Sequence, residues 1–597
     1  MLTDVITQEI RKAFKAAFTA ELGDVALVSP DPAFGDFAVS CHQYAKELKS
    51  APQDIAEKLA RAIKHESITT AEAIAGYLNI TVAPGPLVQE AVSDIVRQDK
   101  HYGESKTRKE KLLLEYSSPN TNKPLHLGHV RNNVLGMSFS RLLSSQGSRV
   151  TRVQIINDRG IHIIKSMLAY QKWGEGQTPE SAGEKGDHFV GRFYVMFEQE
   201  FEREWQAFLE SNPEVPGLSK EDAAKRRQEF FGESEIGQQA QEMLRKWEAG
   251  DREVKELWKQ MNEWVYAGFR ETYQALGSEF DKDYYESETY LLGKKIIDEG
   301  LKQGVFFEEG GAIWIDLTDA GLDKKLVRRT DGTSVYITQD LGLAVSRQKE
   351  FGFERLVYVV GHEQEYHFKV LFVILKKLGY EWADNLHHLS YGLVFLPEGK
   401  MKSREGKVVD ADDIIAEVKT LAAEEVRKRF PDLAASVVEE RADTIGMGAL
   451  KFFLLRVTPT QSIRYNPREA ISFEGSTGPY VQYAHARISS ILSEETALAP
   501  RDIDFGLLKA PEEKALALKL LQFPNMLADA ASGYNPSLVC TYLIELAHSF
   551  STFYHSHSVL KAESEELKHA RLALIRAVQI VLRNGLEVLG IRAPEKM

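Results

Sequence analysis

Two histidines three residues apart, His126 and His129, enclose a leucine and a glycine in the stretch PLHLGHVRNN. An apolar run ends a few residues upstream and a helical pattern begins immediately downstream. That setting is the mouth of a strand-to-helix turn, where the first backbone N–H groups of a helix have no internal partner and attract anions. Imidazoles placed there can donate hydrogen bonds to phosphate oxygens and stabilise charge that grows in a transition state. Gly128 between them has no Cβ, so a flat base or a phosphate can come close to the backbone. Alone, the same four residues also suit a pair of structural histidines. A second stretch, PEGKMKSREG at 397–406, sets Lys400, Lys402 and Arg404 between glycines. Such a loop is either a solvated hairpin or a phosphate clamp.

The elements around these residues must hold them together. Leu112 to Glu115 reads as a buried strand, residues 129–146 as a helix stopped by Gly147, and RVTRVQIIND as the next strand. A strand–helix–strand unit with a short connection predicts a parallel sheet. ERLVYVVG at 354–361, followed by a helical stretch to 380, predicts a second unit. Residues 386–396 read as a further strand leading into the basic loop. Between the units, 172–280 is long charged helix, an insertion or a layer outside the sheet. Ile6, Ile10, Phe14, Phe18 and Leu22 recur every four residues and predict an opening helix. A strand is expected at 76–84, and beyond about 435 the chain reads as helical throughout. The expected fold is a multidomain α/β protein: a parallel-sheet core with helical insertions, a small α+β N-terminal domain and an all-α C-terminal domain.

Bulk properties exclude several classes. At 597 residues the chain is long enough for several domains. No apolar run approaches the roughly 18 residues that span a bilayer, so no membrane partner is expected. Cys41 and Cys540 are far apart and form no CxxC pattern, which argues against a disulfide framework or a zinc site and for the cytoplasm. The net charge of −13 does not exclude a nucleic acid, because binding needs only a local basic surface. Residues 131–165 hold six Arg/Lys and one acid, a candidate for such a surface.

Taken together, the HLGH turn and the KMKSR loop resemble the HIGH and KMSKS signatures of class I aminoacyl-tRNA synthetases. EYSSPNTNKPLHLGHVRNNVLG, LGSEFDKDYYES, SVYITQDLGLA, VVGHEQEYHF and ISFEGSTGPYVQYAHARI narrow the resemblance to the arginyl-tRNA synthetases. It runs over essentially the whole chain. The resemblance implies an N-terminal tRNA-contacting domain with linker (1–105), a Rossmann-type catalytic domain (106–434, helical insertion about 172–280, KMSKS-like loop 397–410) and a helical anticodon-binding domain (435–597). It implies ATP-dependent activation of L-arginine to arginyl-adenylate, then transfer to the 2′-hydroxyl of the terminal adenosine of arginine tRNA. ATP with Mg2+ is the expected co-substrate, with no tightly held protein metal, and a monomer is the expected state.

Residue roles carry over position by position. A guanidinium is planar, always charged and rich in donors, so its site needs carboxylates. The family's arginine site matches Glu115, Asn120, Tyr336, Asp340 and Gln364 here. One division puts Asp340 and Tyr336 on the guanidinium, with Glu115 and Asn120 nearer the α-amino group and carboxylate. For ATP, the resemblance implies Lys123, His126, Gly128 and His129, with Lys400, Met401 and Lys402 from the loop; His126, His129 and Lys400 are the catalytic set. For tRNA it points to Tyr480, Gln482, Tyr483, His485 and Arg487, a mixture of rings and polar groups that suits unstacked bases. Two positions depart from the family pattern. Ser403 stands where the second lysine of KMSKS belongs, flanked by Lys402 and Arg404. Ser40 stands where the family often has an asparagine in the N-terminal unit. The competing readings are another HxGH enzyme, such as a nucleotidyltransferase, and a non-catalytic RNA-binding relative.

Overall fold

The structure, a computed structural model, describes residues 2–18, 25–28, 34–106, 108–395, 409–493 and 500–597. The first unit sets a helix (Leu2–Phe18) against three antiparallel strands, β1 (Phe37–Ser40), β2 (Ile68–Ile74) and β3 (Tyr77–Val82), in the order β1-β3-β2. Ile6, Ile10 and Phe14 join Leu59, Leu78 and Ile80 in its core, as their four-residue spacing requires. Leu22 lies outside the described residues. Asp36 accepts the Val82 N–H at 2.7 Å and the Lys514 ammonium at 2.7 Å. Asp99 pairs with Arg583 at 2.7 Å. These contacts fasten the unit to the C-terminal helices. Ser40 ends β1 opposite Tyr77.

The central sheet starts with β4 (Lys111–Glu115), β5 (Arg149–Ile156) and β6 (Lys282–Tyr285). A small antiparallel sheet follows, β7 (Phe307–Glu309), β8 (Ala312–Ile315) and β9 (Lys325–Arg328). Strands β10 (Arg355–Gly361) and β11 (Leu386–Tyr391) then return to the central sheet. Its order is β11-β10-β4-β5-β6, with every pairing parallel. The chain fills one side of β4 first and the other side later. The switch point therefore lies beyond the carboxyl ends of β4 and β10, where doubly wound sheets bind ligands. Alternation divides the sheet between two cores. Leu112 and Leu114 face one, and Leu113 faces the other with Val153, Leu356 and Tyr358.

The long charged stretch is an insertion between β5 and β6. It folds as helices including Gly186–Ser211, Lys220–Glu233, Glu235–Ala249 and Arg252–Leu276. Their apolar faces bury Phe189, Phe193, Phe197 and Trp205. The strand expected at 386–396 is two pieces, β11 and β12 (Val394–Phe395), broken at Gly392; Leu396 lies outside the described residues. β12 pairs in parallel with β13 (Ile463–Arg464). The rest of the C-terminal region is helical, ending in Ser537–Ser556 and Glu565–Val588. Among the described residues no helix is long and apolar enough to cross a membrane.

Only Arg141 and Arg149 of the basic run at 131–165 are exposed. Arg131 is fully buried and donates to the carbonyls of Gly392, Leu393, Pro459 and Gln461. Arg152 is paired with Glu279 and Asp281, and Lys165 with Glu198. Their charges are spent on internal ties.

Candidate active site

The polypeptide leaves β4 at Glu115 through a strained corner. Ser117 and Ser118 both have positive φ, 73° and 52°, which side-chain-bearing residues adopt rarely. The helix Leu127–Ser145 supplies the groups that hold them there. Asn132 accepts the Ser117 N–H and donates to Val359 O at 2.8 Å, and Asn133 donates to Ser117 Oγ at 3.0 Å. Strain held by surrounding bonds is a mark of functional turns. Asn120 then lies exposed, bridged to Asn157 at the end of β5.

His126 is the N-cap of this helix. Its Nδ1 accepts the Gly128 N–H at 3.1 Å, while His129 Nδ1 accepts the His126 N–H at 3.1 Å. The two rings thus replace the serine and glutamate of an ordinary capping box. Because both Nδ1 atoms accept, each neutral ring carries its proton on Nε2. Burial, with Lys123 adding to it, lowers the His126 pKa to about 4. Burial, His126 and Lys123 hold His129 well below its usual value. Both are neutral donors at pH 7. The space in front of Gly128 belongs to the cap: a Cβ there would lie 2.9 Å from His126 Cε1. Glycine at 128 is therefore required by the His126 ring, before any base or phosphate arrives. Burial also lowers the Lys123 pKa.

Lys400, Met401, Lys402, Ser403 and Arg404 lie outside the described residues. The chain on their C-terminal side is fixed at the HLGH turn. Leu127 donates to Val409 O at 3.2 Å, Ala411 donates to Leu125 O at 2.9 Å, and His126 bridges Asp410. Asp410 and Asp412 meet Lys185 and His188 there. Asp187, His188 and Asp412 are the right types for a metal, but Lys185 Nζ stands 2.6 Å from Asp412 and 3.4 Å from Asp187 and supplies the cation.

The expected arginine-site residues lie on elements that border the switch point. Glu115 ends β4 opposite Tyr358 of β10. Tyr336 and Asp340 occupy the first turns of the helix Tyr336–Phe351, and Tyr336 is 76% exposed. Asp340 bonds His367 Nε2 at 2.6 Å. Gln364 is exposed just beyond β10. Two groups were missed from the sequence. Glu286, immediately after β6, is held up to about 7 by burial, with Asp158 and Asp340 adding to the rise and Arg159 opposing it. Arg159 is itself engaged, 3.9 Å over the Tyr290 ring and paired with Glu248 at 3.3 Å. Arg347 is the second: fully buried, it pairs with Glu115. LGSEFDKDYYES contained Glu286 in plain view; nothing local marked Arg347.

The tRNA assignments divide by helical phase. In the helix Gly478–Leu492, Tyr483 and Arg487 are exposed, with Arg487 4.3 Å over the Tyr554 ring, and Tyr480 on the same side is half-buried against the core. Gln482 and His485 do not belong with them. Gln482 is fully buried and donates to Thr444 O and Arg592 O, and His485 is buried with Nδ1 2.8 Å from Pro594 O. Both lock the C-terminal tail, because positions 482 and 485 face inward when 483 and 487 face out.

Comparison with known proteins identifies the family. Residues 91–462 match the catalytic-domain model of class I tRNA synthetases of the arginine type. Residues 481–597 match the DALR anticodon binding domain, and 2–82 the arginyl-tRNA synthetase N-terminal domain. The arginine–tRNA ligase of Parabacteroides distasonis is 42% identical over all of this chain and 99% of its own length. That of Treponema denticola is 45% identical over 95% of this chain and 94% of its own. The Thermus thermophilus arginyl-tRNA synthetase superposes with a TM-score of 0.76 at 26% identity, each chain fully covered. The chain belongs to the arginyl-tRNA synthetases, enzymes of the class I aminoacyl-tRNA synthetase family.

Proposed function

We propose that the switch point is one pocket with two halves, which together perform the arginine–tRNA ligase reaction. His126 and His129 donate from Nε2 to the ATP phosphates, Gly128 lies beneath the nucleotide, and Lys123 adds a cation. Lys400, Met401 and Lys402 serve the departing pyrophosphate, and Lys402 and Arg404 flank Ser403 in sequence. Mg2+ enters with ATP as part of the substrate. The arginine carboxylate is already ionised, so attack on the α-phosphorus needs no general base. Catalysis is alignment plus stabilisation of phosphoryl charge. The 2′-hydroxyl of the terminal adenosine then takes the arginyl group and releases AMP.

In the other half, Asp340 and Glu286 receive the guanidinium, with Tyr336 against it. Glu115 and Asn120 face the α-amino end, and Gln364 closes the rim. The carrying observation is the imbalance of charge: Glu286 is raised by burial and two neighbouring acids, while its neighbouring cation, Arg159, is occupied by Glu248. A bound guanidinium supplies what is missing. Tyr480, Tyr483 and Arg487 are the tRNA-facing residues of the C-terminal domain (435–597). The N-terminal domain (1–105) contacts tRNA, 106–434 holds the chemistry, and the enzyme works as a cytoplasmic monomer.

Charging of total tRNA with each labelled amino acid tests the reaction, and arginine alone should be accepted. Citrulline, a neutral near-isostere of arginine, tests the pocket. It should compete roughly 100-fold or more less well, because it leaves the Asp340 and Glu286 carboxylates without their cation. Equal competition by citrulline would remove the acids from the guanidinium site.

A further inference from the structure

Arg347 is an arginine built into an arginine-selecting site. It lies two turns beyond Asp340 on the helix Tyr336–Phe351 and is fully buried. Strand alternation sends Glu115 to the face that carries Leu113, which is the face this helix covers. There Arg347 Nη1 bonds Glu115 Oε2, and its guanidinium carbon lies 4.7 Å over the Tyr284 ring. Tyr358, beside Glu115 in the sheet, is part of the same core. The Tyr284 and Tyr358 hydroxyls also approach the Arg347 guanidinium. Glu115 Oε1 makes no hydrogen bond among the described residues.

A buried ion pair adds little stability by itself, since desolvation offsets most of the attraction. Its consequence here is orientation. One carboxylate oxygen is fixed and the other is left for a ligand. We infer that Arg347 is a positioning residue of the amino-acid site, holding Glu115 so that its free oxygen meets the α-ammonium of the substrate. This rests on the role proposed above for Glu115.

The test compares L-arginine with 5-guanidinopentanoate, which is arginine without its α-amino group. Both are measured as ligands of the full-length enzyme with tRNA and ATP, the analogue as a competitive inhibitor. The wild type should favour arginine by about 10- to 100-fold, the contribution of one charged hydrogen bond. Glu115→Gln should lose most of that preference; if it does not, the reading of Glu115 fails, and the inference with it. Given that loss, Arg347→Gln should lose the preference as well, with the ATP KM unchanged. The Glu115→Gln/Arg347→Gln pair should be no worse than either single variant. A wild-type preference in Arg347→Gln, or equal rises in the arginine and ATP KM, overturns the inference while leaving Glu115 in place. If Arg347→Gln does not fold, Arg347→Lys decides. Its single ammonium keeps the charge without the planar grip, and the preference should fall about 3- to 10-fold; no fall overturns the inference.

Discussion

The two halves of the pocket are prepared in opposite ways. The HLGH turn of the phosphate half is set before any ligand arrives. Both HLGH imidazoles are locked by backbone N–H groups, kept neutral by burial, and fixed with Nε2 as the donor. In the arginine half, Asp340 and Glu286 lack a guanidinium partner among the described residues: Asp340 pairs with His367, and Glu286 is protonated to a large degree near neutrality. Its aromatic member, Tyr336, is 76% exposed. Phosphate charge develops during the reaction, so donors must already be oriented when it appears. The guanidinium carries its charge throughout, so its site can wait for the ligand to neutralise it.

Mutations should separate the halves. Asp340→Ala removes one partner of the charge pair made with the bound guanidinium, a loss of roughly 3 to 4 kcal/mol. The arginine KM should therefore rise on the order of 100- to 1000-fold, with the ATP KM little changed. A larger effect on ATP would place Asp340 in the wrong half. His129→Ala removes a donor and half of the cap. Steady-state charging should show kcat lower by roughly 100-fold and the arginine KM within about twofold of wild type. A dominant arginine-KM effect would abolish the division.

The sequence is an uneven guide to these halves. Leu112–Leu114 and the HLGH turn were legible because a uniform apolar run and a capping position are local signals. The two histidines as a capping box were not, since that depends on ring nitrogens and not on residue type. β6 escaped because KDYY mixes charge with aromatic residues and has no clean alternation. Arg347 escaped because an arginine in a helix normally reads as solvated. Its burial follows from strand parity at Glu115 meeting helix phase at Asp340, two elements more than 200 residues apart. The arginines at 131 and 152 misled for the same reason: charge in sequence says nothing of what it faces.

The C-terminal motif offers a smaller test, between inward and outward residues one position apart. Tyr483→Ala removes an exposed ring and should raise the tRNA KM about 5- to 150-fold, the range of one base-stacking contact. Its thermal midpoint should not change. Gln482→Ala should do the reverse, costing about 1 to 3 kcal/mol of stability at the tail with the tRNA KM unchanged. Thermal unfolding beside charging kinetics reads both, and an equal tRNA defect in the two variants would deny the helical division.

The smallest effect is the most specific to the arginine half. The Glu286 carboxyl stands at about 7 in the free enzyme, raised above its ordinary value chiefly by burial. Its neutral form therefore predominates below pH 7 and its ionised form above. A guanidinium beside it favours the ionised form, so binding must release a proton wherever the free carboxyl holds one. Arginine affinity should accordingly strengthen as pH rises through 7 and level off above it. Between pH 6 and pH 8 the arginine KM should fall about 3- to 10-fold, while the ATP KM, governed by imidazoles neutral throughout that range, stays level. Glu286→Gln should flatten the arginine profile. Titration calorimetry with tRNA present, in buffers of different ionisation heat, should find close to half a proton released per arginine at pH 7. A flat wild-type profile with no proton released would mean that the guanidinium does not sit beside Glu286, leaving Asp340 as the acid that receives it.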